Sequence, residues 1–275
     1  MFRNFKWFGL VLMLLILSSC YTRFFTRDLL YKKEKNQLRV VTYNVNWGEK
    51  EFPVTAPQET TNAIKLLDGD IVLLQEATSF WQTYFKEHLT NIYPYQSFKS
   101  QGDAGGLAVL SKYPFTTQEY TQSAIGWHPG WIIDVDSPYG MLQVADLHLT
   151  PPLVSKANLN FGLGAYFSSP GIREKEIDYY YQFLRRNVPT IIAGDFNEED
   201  HGFVTQFLNQ HGFVDAQFKH GRHEFTWHWK IGFITIHRKL DHIFYNHWFK
   251  ETRTQVYHGG DSDHDPLAVD LTRLS

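Results

Sequence analysis

Six short runs place polar side chains directly after apolar, β-branched stretches. They are Asn44 and Asn46 after Leu38-Arg39-Val40-Val41-Thr42-Tyr43, Glu76 after Leu73-Leu74-Gln75, Asp146 and His148 in Ala145-Asp146-Leu147-His148, Asp195 and Asn197 in Gly194-Asp195-Phe196-Asn197, Asp241 in Leu240-Asp241-His242-Ile243-Phe244, and Asp263-His264-Asp265 near the C-terminus. One such run is ordinary, because Asp and Asn at strand ends form turns and helix caps. The set as a whole holds carboxylates, amides and two histidines, which are the parts that bind a hard divalent cation and activate water. Mg²⁺ takes oxygen ligands, usually one or two carboxylates plus substrate phosphate, which suits Glu76 with help from Asn44 and Asp263. A histidine held by a buried carboxylate provides general acid–base capacity or a charged donor to a phosphoryl oxygen, and Asp241 is the candidate orienter of His264. Asp195 and Asn197, two apart on a loop, can position and polarise a nucleophilic water.

The elements that must aim these side chains are legible as apolar runs. Strands are expected over Leu38–Val45, Ile71–Gln75, Gly106–Leu110, Trp131–Val135, Met141–Leu147, Thr190–Ala193, Leu240–Tyr245 and Leu267–Leu271. Helices are expected over Pro57–Leu67, Phe80–Leu89, Ile172–Arg186 and Phe203–Gln210. The mixture lacks strict β-α-β alternation, which favours a layered α+β sandwich over a barrel or a doubly wound sheet. Pro151 to Gly171, rich in proline and glycine, reads as a long irregular insertion.

Of the 275 residues, 43% are hydrophobic and 20% charged, a globular composition that excludes fibrous and disordered classes. Lys+Arg 26 against Asp+Glu 29 gives a charge of −3, too little positive charge to hold nucleic acid by bulk electrostatics. A phosphate bound through metal ions is still open, since the metal brings the positive charge. A single cysteine rules out an internal disulfide and a cysteine-based zinc cluster.

Arg3 and Lys6 precede an apolar run from Trp7 to Leu17, in the order of a secretory signal. Leu17-Ser18-Ser19-Cys20 looks like a bacterial lipobox, with Cys20 lipidated and first in the mature chain. The expected organisation is a signal over 1–19, a basic tether over 20–37 and one catalytic domain over 38–275. Losing Arg3 and Lys6 with the signal deepens the charge from −3 to −5.

Seven motifs in order make the chain resemble the endonuclease/exonuclease/phosphatase superfamily. They are Thr42-Tyr43-Asn44-Val45, Leu74-Gln75-Glu76, Gly106 to Pro114, Leu147-His148-Leu149, Gly194-Asp195-Phe196-Asn197, Leu240-Asp241-His242-Ile243 and Ser262-Asp263-His264-Asp265-Pro266. The resemblance implies an α+β fold, a four-layer α/β/β/α sandwich of two packed mixed β-sheets flanked by helices, with the site at one end of the sheets. It implies Asn44, Glu76 and Asp263 on the metal side, with Mg²⁺ or Mn²⁺ as cofactor. It also implies His148 on the phosphate, Asp195 and Asn197 on the water, and His264 paired with Asp241 as general base or transition-state stabiliser. Two positions depart from the pattern. Asn46 stands where many nucleases of the group carry aspartate, which puts its metal role in doubt. His242 stands where tyrosine is frequent, and a supporting or structural role suits it better than catalysis.

Other candidates divide between site and scaffold. His220, His223, His228 and His237, with Trp227 and Trp229, can line the cleft, although surface and core positions suit such residues better. Arg173 is placed at a helix start, where it either reaches a phosphate or is an ordinary surface arginine. Trp127, His128 and Trp131 suit stacking, lipid headgroups or the core, and Gly102 to Gly106 suits a tight loop before a strand.

The expected activity is that of a metal-dependent phosphodiester hydrolase, endonuclease-like, on the bacterial cell envelope. The expected partners are a phosphate-ester substrate and, through the lipidated N-terminus, a membrane, and the expected state is a monomer. A phospholipid, sphingomyelin or inositol-phosphate substrate is the alternative, favoured by the acidic charge, the anchor and the aromatic loops. A catalytically silent binding lipoprotein is disfavoured, because the whole set of site residues is present.

Overall fold

A computed structural model describes residues 32–48, 53–152, 154–155, 160–161, 163–218, 224–231 and 233–274. The expected signal segment, Cys20, most of the expected tether, His220 and His223 lie outside them. The fold that positions the site belongs to one compact unit, Lys33–Ser275.

Two six-stranded sheets share one plan. The first runs in the order β15 (Phe249–Val256), β16 (Leu267–Arg273), β1 (Leu38–Asn44), β2 (Ile71–Gln75), β4 (Leu107–Ser111) and β3 (Tyr95–Lys99). The second runs β11 (Phe213–Asp215), β14 (Asp241–Asn246), β10 (Thr190–Asp195), β7 (Gly140–His148), β6 (Pro129–Ser137) and β5 (Phe115–Gln122), and β8 (Val154–Ser155) pairs separately with β9 (Asn160–Phe161). Each sheet has one parallel pair at its centre, β1 with β2 and β7 with β10, and its other pairings are antiparallel.

Alternation along these strands explains where the polar residues go. Val40, Leu73, Val144, Ala193 and Ile243 belong to one buried apolar cluster. Side chains two residues apart share a face, so each row continues into Thr42 and Asn44, Gln75, Asp146 and His148, Asp195, and Asp241. The rows meet across the sheets where Gln75 Nε2 donates to Asp146 Oδ1 at 2.6 Å and Asn44 Nδ2 to Asp195 Oδ2 at 3.2 Å. Strands β1, β2, β7, β10 and β14 are thus apolar in mid-sandwich and polar at the same end. Gly194 lets β10 and β7 approach this closely, because a Cβ there would lie 1.8 Å from the Leu147 carbonyl oxygen and its φ is +146°.

Helices cover the outer faces. On the second sheet, Ile132, Ala145, Leu147 and Phe244 pack with Ile177 and Tyr180 of α3 (Leu163–Tyr181) and Val204 and Leu208 of α4 (Phe203–Gln210). The opposite parity of the first sheet, Val41, Tyr43, Val72 and Leu74, is also buried, together with Ile64 and Leu67 of α1 (Pro57–Leu67) and Trp81 and Phe85 of α2 (Ser79–Leu89). The result is the expected four-layer sandwich. Helix α1 opens with proline in its first turn and closes at Asp68 in the left-handed region, whose N–H bonds the Ile64 carbonyl at 3.2 Å.

Two expectations need correction. The irregular insertion expected over Pro151–Gly171 ends early, because α3 begins at Leu163, runs through Pro170 and stops at Tyr181 rather than Arg186. Proline deletes one helical hydrogen bond, but the same helix buries Arg173, Glu176, Ile177 and Tyr180, and that packing outweighs local propensity. Beyond Tyr181 the chain tightens into i to i+3 turns, from Phe183 N to Tyr180 O and Leu184 N to Tyr181 O. The second correction concerns strands: β3, β5, β11 and β15, the four edges of the two sheets, form from stretches in which no strand was expected.

The end of the expected tether lies on the domain. Lys33 pairs with Asp70, and Gln37 Nε2 donates to Thr252 Oγ1 at 2.9 Å.

Candidate active site

Asp195 is the hub of the polar end. Its Oδ2 accepts from Asn44 Nδ2 and lies 3.5 Å from His148 Nε2 and 3.6 Å from His264 Nε2. Its Oδ1 accepts the Asn197 backbone N–H at 2.9 Å, while Asn197 Nδ2 donates to the Leu149 carbonyl at 3.0 Å. Strand register brings the group together, since Asp195 lies opposite His148 on β7 and Asp241 on β14. His264 arrives on the loop before β16, and its Nδ1 donates to Asp241 Oδ2 at 2.8 Å.

The charges follow from this geometry. Burial alone would lower the His264 pKa, but Asp241 and Asp195 outweigh it and hold the imidazolium well above the usual range. Burial raises the Asp195 carboxyl, with His264 opposing and Asp241 reinforcing the rise. His148 is pushed well below the usual range by burial, then by His128 and His264. Its Nδ1 faces the Ala104 carbonyl at 3.1 Å and must donate there, which leaves Nε2 unprotonated toward Asp195.

The three residues expected on the metal side are brought to the same place. Glu76 Oε1 accepts from Asn44 Nδ2 at 3.0 Å and Oε2 from the Trp47 N–H at 3.0 Å. Both donors are neutral, and burial pushes Glu76 up to about 7, with Asp263 also raising it. Asp263 Oδ2 accepts the Trp227 indole N–H at 2.8 Å. Hard oxygen donors with uncompensated negative charge fit a divalent cation of the Mg²⁺ or Mn²⁺ type. Asn46 instead shapes the turn, since its Oδ1 accepts the Gly48 N–H at 2.9 Å and its carbonyl takes the Trp81 indole N–H at 2.7 Å. Asn46, Glu76 and Asn197 all adopt left-handed backbone, with φ of 62°, 60° and 52°, and such strain gathers at functional sites.

Glu76, His148, Asp195, Asn197, Asp263 and His264 line a cavity of about 680 Å³. One wall is a hairpin, β12 (Trp227–Ile231) and β13 (Ile234–Arg238), which sequence reading missed as strands. The hairpin is tied to the loop that carries Asp263 and His264 by His228 N to Asp263 O at 2.9 Å and Asp265 N to Thr226 O at 2.7 Å. Trp227, Trp229, Ile236 and Arg238 face the cavity. His228 pairs with His237 on the strand positions between them, and neither lines it. Trp131 is a core residue, whereas His128 stacks on His148 at 3.9 Å between centroids and lines the cavity.

Arg173 is a correction. It lies inside α3 rather than at its start, is only 4% exposed, and lines the cavity. Its Nε reaches Glu198 Oε2 at 3.4 Å and its Nη1 donates to the Thr150 carbonyl at 3.2 Å. Glu176, one turn on, accepts the Thr150 N–H at 3.0 Å, and burial pushes its carboxyl up to about 7. Sequence reading missed Glu176 and Glu198; the i, i+3 spacing of Arg173 and Glu176 was the available clue. His242, expected to be supporting, is fully buried and bonded through Nδ1 to Asp215 at 2.6 Å and through Nε2 to the Glu198 carbonyl at 2.8 Å.

A sequence model of the Endonuclease/Exonuclease/phosphatase family matches residues 41–264. Among solved structures, the chain is similar to zebrafish (D. rerio) TDP2 in complex with a single-strand DNA product, at TM-score 0.63 and 17% identity over 86% of this chain and 99% of that one. It is also similar to an endonuclease/exonuclease/phosphatase from Beutenbergia cavernae, at TM-score 0.62 and 15% identity over 87% of this chain and 72% of that one. A conserved protein of unknown function from Enterococcus faecalis V583 gives TM-score 0.62 and 16% identity over 86% of this chain and 100% of that one. No curated protein sequence matches the chain.

Proposed function

The chain belongs to the endonuclease/exonuclease/phosphatase family, whose members hydrolyse phosphoester bonds, and on that premise we propose that it is a divalent-metal-dependent phosphodiester hydrolase held at the bacterial cell envelope by a lipidated Cys20. The observation that carries the reading is the convergence of Asn44, His148 and His264 on one oxygen of Asp195, inside a cavity that also holds Glu76 and Asp263.

Glu76, Asn44 and Asp263 would hold the cation, and the chemistry supplied there when it is bound is neutralisation of the phosphoryl and leaving oxygens. The protein's own groups do the rest. Asp195, its basicity raised by burial, takes the proton of a water that Asn197 helps to position. His264, kept protonated by Asp241, presents Nε2–H to the phosphoryl oxygens as a charged donor. Neutral His148 turns its unprotonated Nε2 to Asp195, so it must take up a proton before it can donate to a phosphate oxygen.

A hydrolysis panel tests this. With Mg²⁺ or Mn²⁺ the chain should cleave a bis-aryl phosphodiester, and Glu76→Ala and His264→Ala should each lose activity. Equal behaviour of wild type and both variants on diester, DNA, single-stranded nucleic acid and phospholipid alike would reject the reading. For the anchor, Cys20→Ser should move the protein from the detergent phase to the aqueous phase.

A further inference from the structure

Resting on that reading of the site, we infer that the substrate is an amphiphilic phosphodiester presented at a lipid surface, onto which the β12–β13 hairpin docks. Strand register sorts the hairpin into two faces. Trp227 and Trp229, opposite Arg238 and Ile236, form the wall of the catalytic cavity. His228 and Lys230, opposite His237 and Thr235, form the other face.

Past the cavity the apolar character continues into open solvent. Phe233 at the tip is 108% exposed and Ile234 68%, and Phe225 at the base of the hairpin is also exposed. A phenylalanine and an isoleucine left in water forgo the burial energy of two large apolar side chains, which whatever covers them recovers. An apolar tip continuous with the wall of a catalytic cavity marks the side from which substrate enters.

Charge selects the occupant. The cavity is lined by the carboxylates Glu76, Asp195, Glu198, Glu199 and Asp263, and its two arginines are already engaged, Arg173 with Glu198 at 3.4 Å and Arg238 with Glu199 at 3.8 Å. No lysine lines it among the described residues. A nucleic acid brings several phosphates and needs a row of cations. One phosphodiester attached to hydrocarbon needs only the metal side and the apolar wall. The exposed Lys230 stands beside the tip, where a lipid phosphate lies at the water interface. Aromatic residues at such a boundary take the headgroup level.

Docking is tested on the full-length chain carrying Cys20→Ser, with Ile234→Cys labelled by an environment-sensitive fluorophore. The control carries the label at Met141→Cys, exposed at the start of β7, the end away from His148. Phosphatidylcholine vesicles, with and without phosphatidylglycerol, should shift the emission at position 234 to the blue, with quenching by acyl-chain bromines, and leave position 141 unchanged. No shift at 234, or equal shifts at both positions, overturns the inference. A shift at 234 without vesicles that rises with protein concentration also overturns it and names a second copy as the occupant. In the unlabelled chain, Phe233→Ser with Ile234→Ser should lower hydrolysis of vesicle phosphodiester by about tenfold or more and leave a soluble bis-aryl phosphodiester unaffected. Cleavage of soluble diester and DNA without vesicle docking would remove the inference and leave the proposed activity standing. Docking without cleavage of any diester would remove the activity and leave the docking surface standing.

Discussion

Two acid–histidine clusters sit back to back on β14, and they do opposite things. Asp241 and His242 are successive residues, so their side chains leave opposite faces of the sheet. Asp241 joins Asp195 and His264; His242 joins Asp200 and Asp215; in each set the polar atoms lie within 4.8 Å of one another. The second cluster neutralises itself. Asp215 Oδ2 takes His242 Nδ1 at 2.6 Å and Lys239 Nζ at 3.0 Å, its Oδ1 takes the Gln217 N–H at 2.8 Å, and Lys239 also pairs with Asp200. Burial would raise Asp215, but His242 and Lys239 outweigh it and hold the carboxyl far below the usual range. The first cluster sets one histidine against two carboxylates, leaves Asp241 Oδ1 without a hydrogen-bond partner among the described residues, and opens through Asp195 and His264 onto the cavity. Where a lysine completes the charge balance, the cluster is closed and buried; where none does, the unbalanced charge faces the cavity.

The largest effect expected from breaking this contrast is on rate. His264→Ala should lower kcat for a phosphodiester by about a thousandfold per folded molecule, since it removes a charged donor aimed at the reacting group, and it should also lower Tm, because buried Asp241 loses its cation. Asp215→Asn should act on stability alone. It strands Lys239 and His242 without their anion, and should cost about 3–5 kcal/mol of stability in denaturant unfolding while the folded fraction keeps its activity.

Next comes pH, read as thermal stability with a chelator present. Burial raises Asp195 to about 7, so folding favours its protonated form, and its contribution declines as pH climbs from the unfolded carboxylate range, about 4, to about 7. Asp195→Asn should therefore raise Tm at about pH 8 and change it little at about pH 4. Asp215, lowered in the folded state, has the opposite sign: its stabilisation is present above the unfolded carboxylate range and is lost as pH falls toward its folded value. The deficit of Asp215→Asn should shrink in acid. The smallest effect expected is for Trp227→Phe, which keeps the ring but removes the indole donor to Asp263. It should raise the divalent-metal concentration needed for half-maximal rate by about fivefold, the worth of roughly one hydrogen bond.

The same difference between self-balanced and unbalanced regions explains what the sequence disclosed. All eight interior strands were legible, because burial on both faces makes them continuous apolar runs. All four edge strands were missed: Tyr95–Lys99 and Phe115–Gln122 are half exposed and largely polar, so although Phe115 and Tyr120 pack on the core, neither run shows a continuous apolar stretch. The site residues at interior strand ends, from Asn44 to His264, were legible as polar terminations of those runs. Glu176 and the strand pairing of the hairpin were not, since each depends on helix α3 or a two-stranded arm folding over the cavity, and Pro170 and Gly171 read locally as breakers; Arg173, Trp227 and Trp229 were legible only as candidates for either site or scaffold. His242 beside Asp241 was read as supporting from the family pattern, and what the residues alone did not show is its partners, Asp215 on the far face, itself bonded to Lys239, and the Glu198 carbonyl.

The most direct test compares the two histidines in one assay. Wild type, His264→Asn and His242→Asn are measured on a bis-aryl phosphodiester with Mg²⁺ or Mn²⁺, each corrected for its folded fraction. The expected result is near-complete loss of turnover for His264→Asn, by about a thousandfold, and retention of most activity per folded molecule for His242→Asn. Comparable losses in both variants, or full activity in His264→Asn, would contradict the assignment of the reaction to the Asp195–Asp241–His264 cluster.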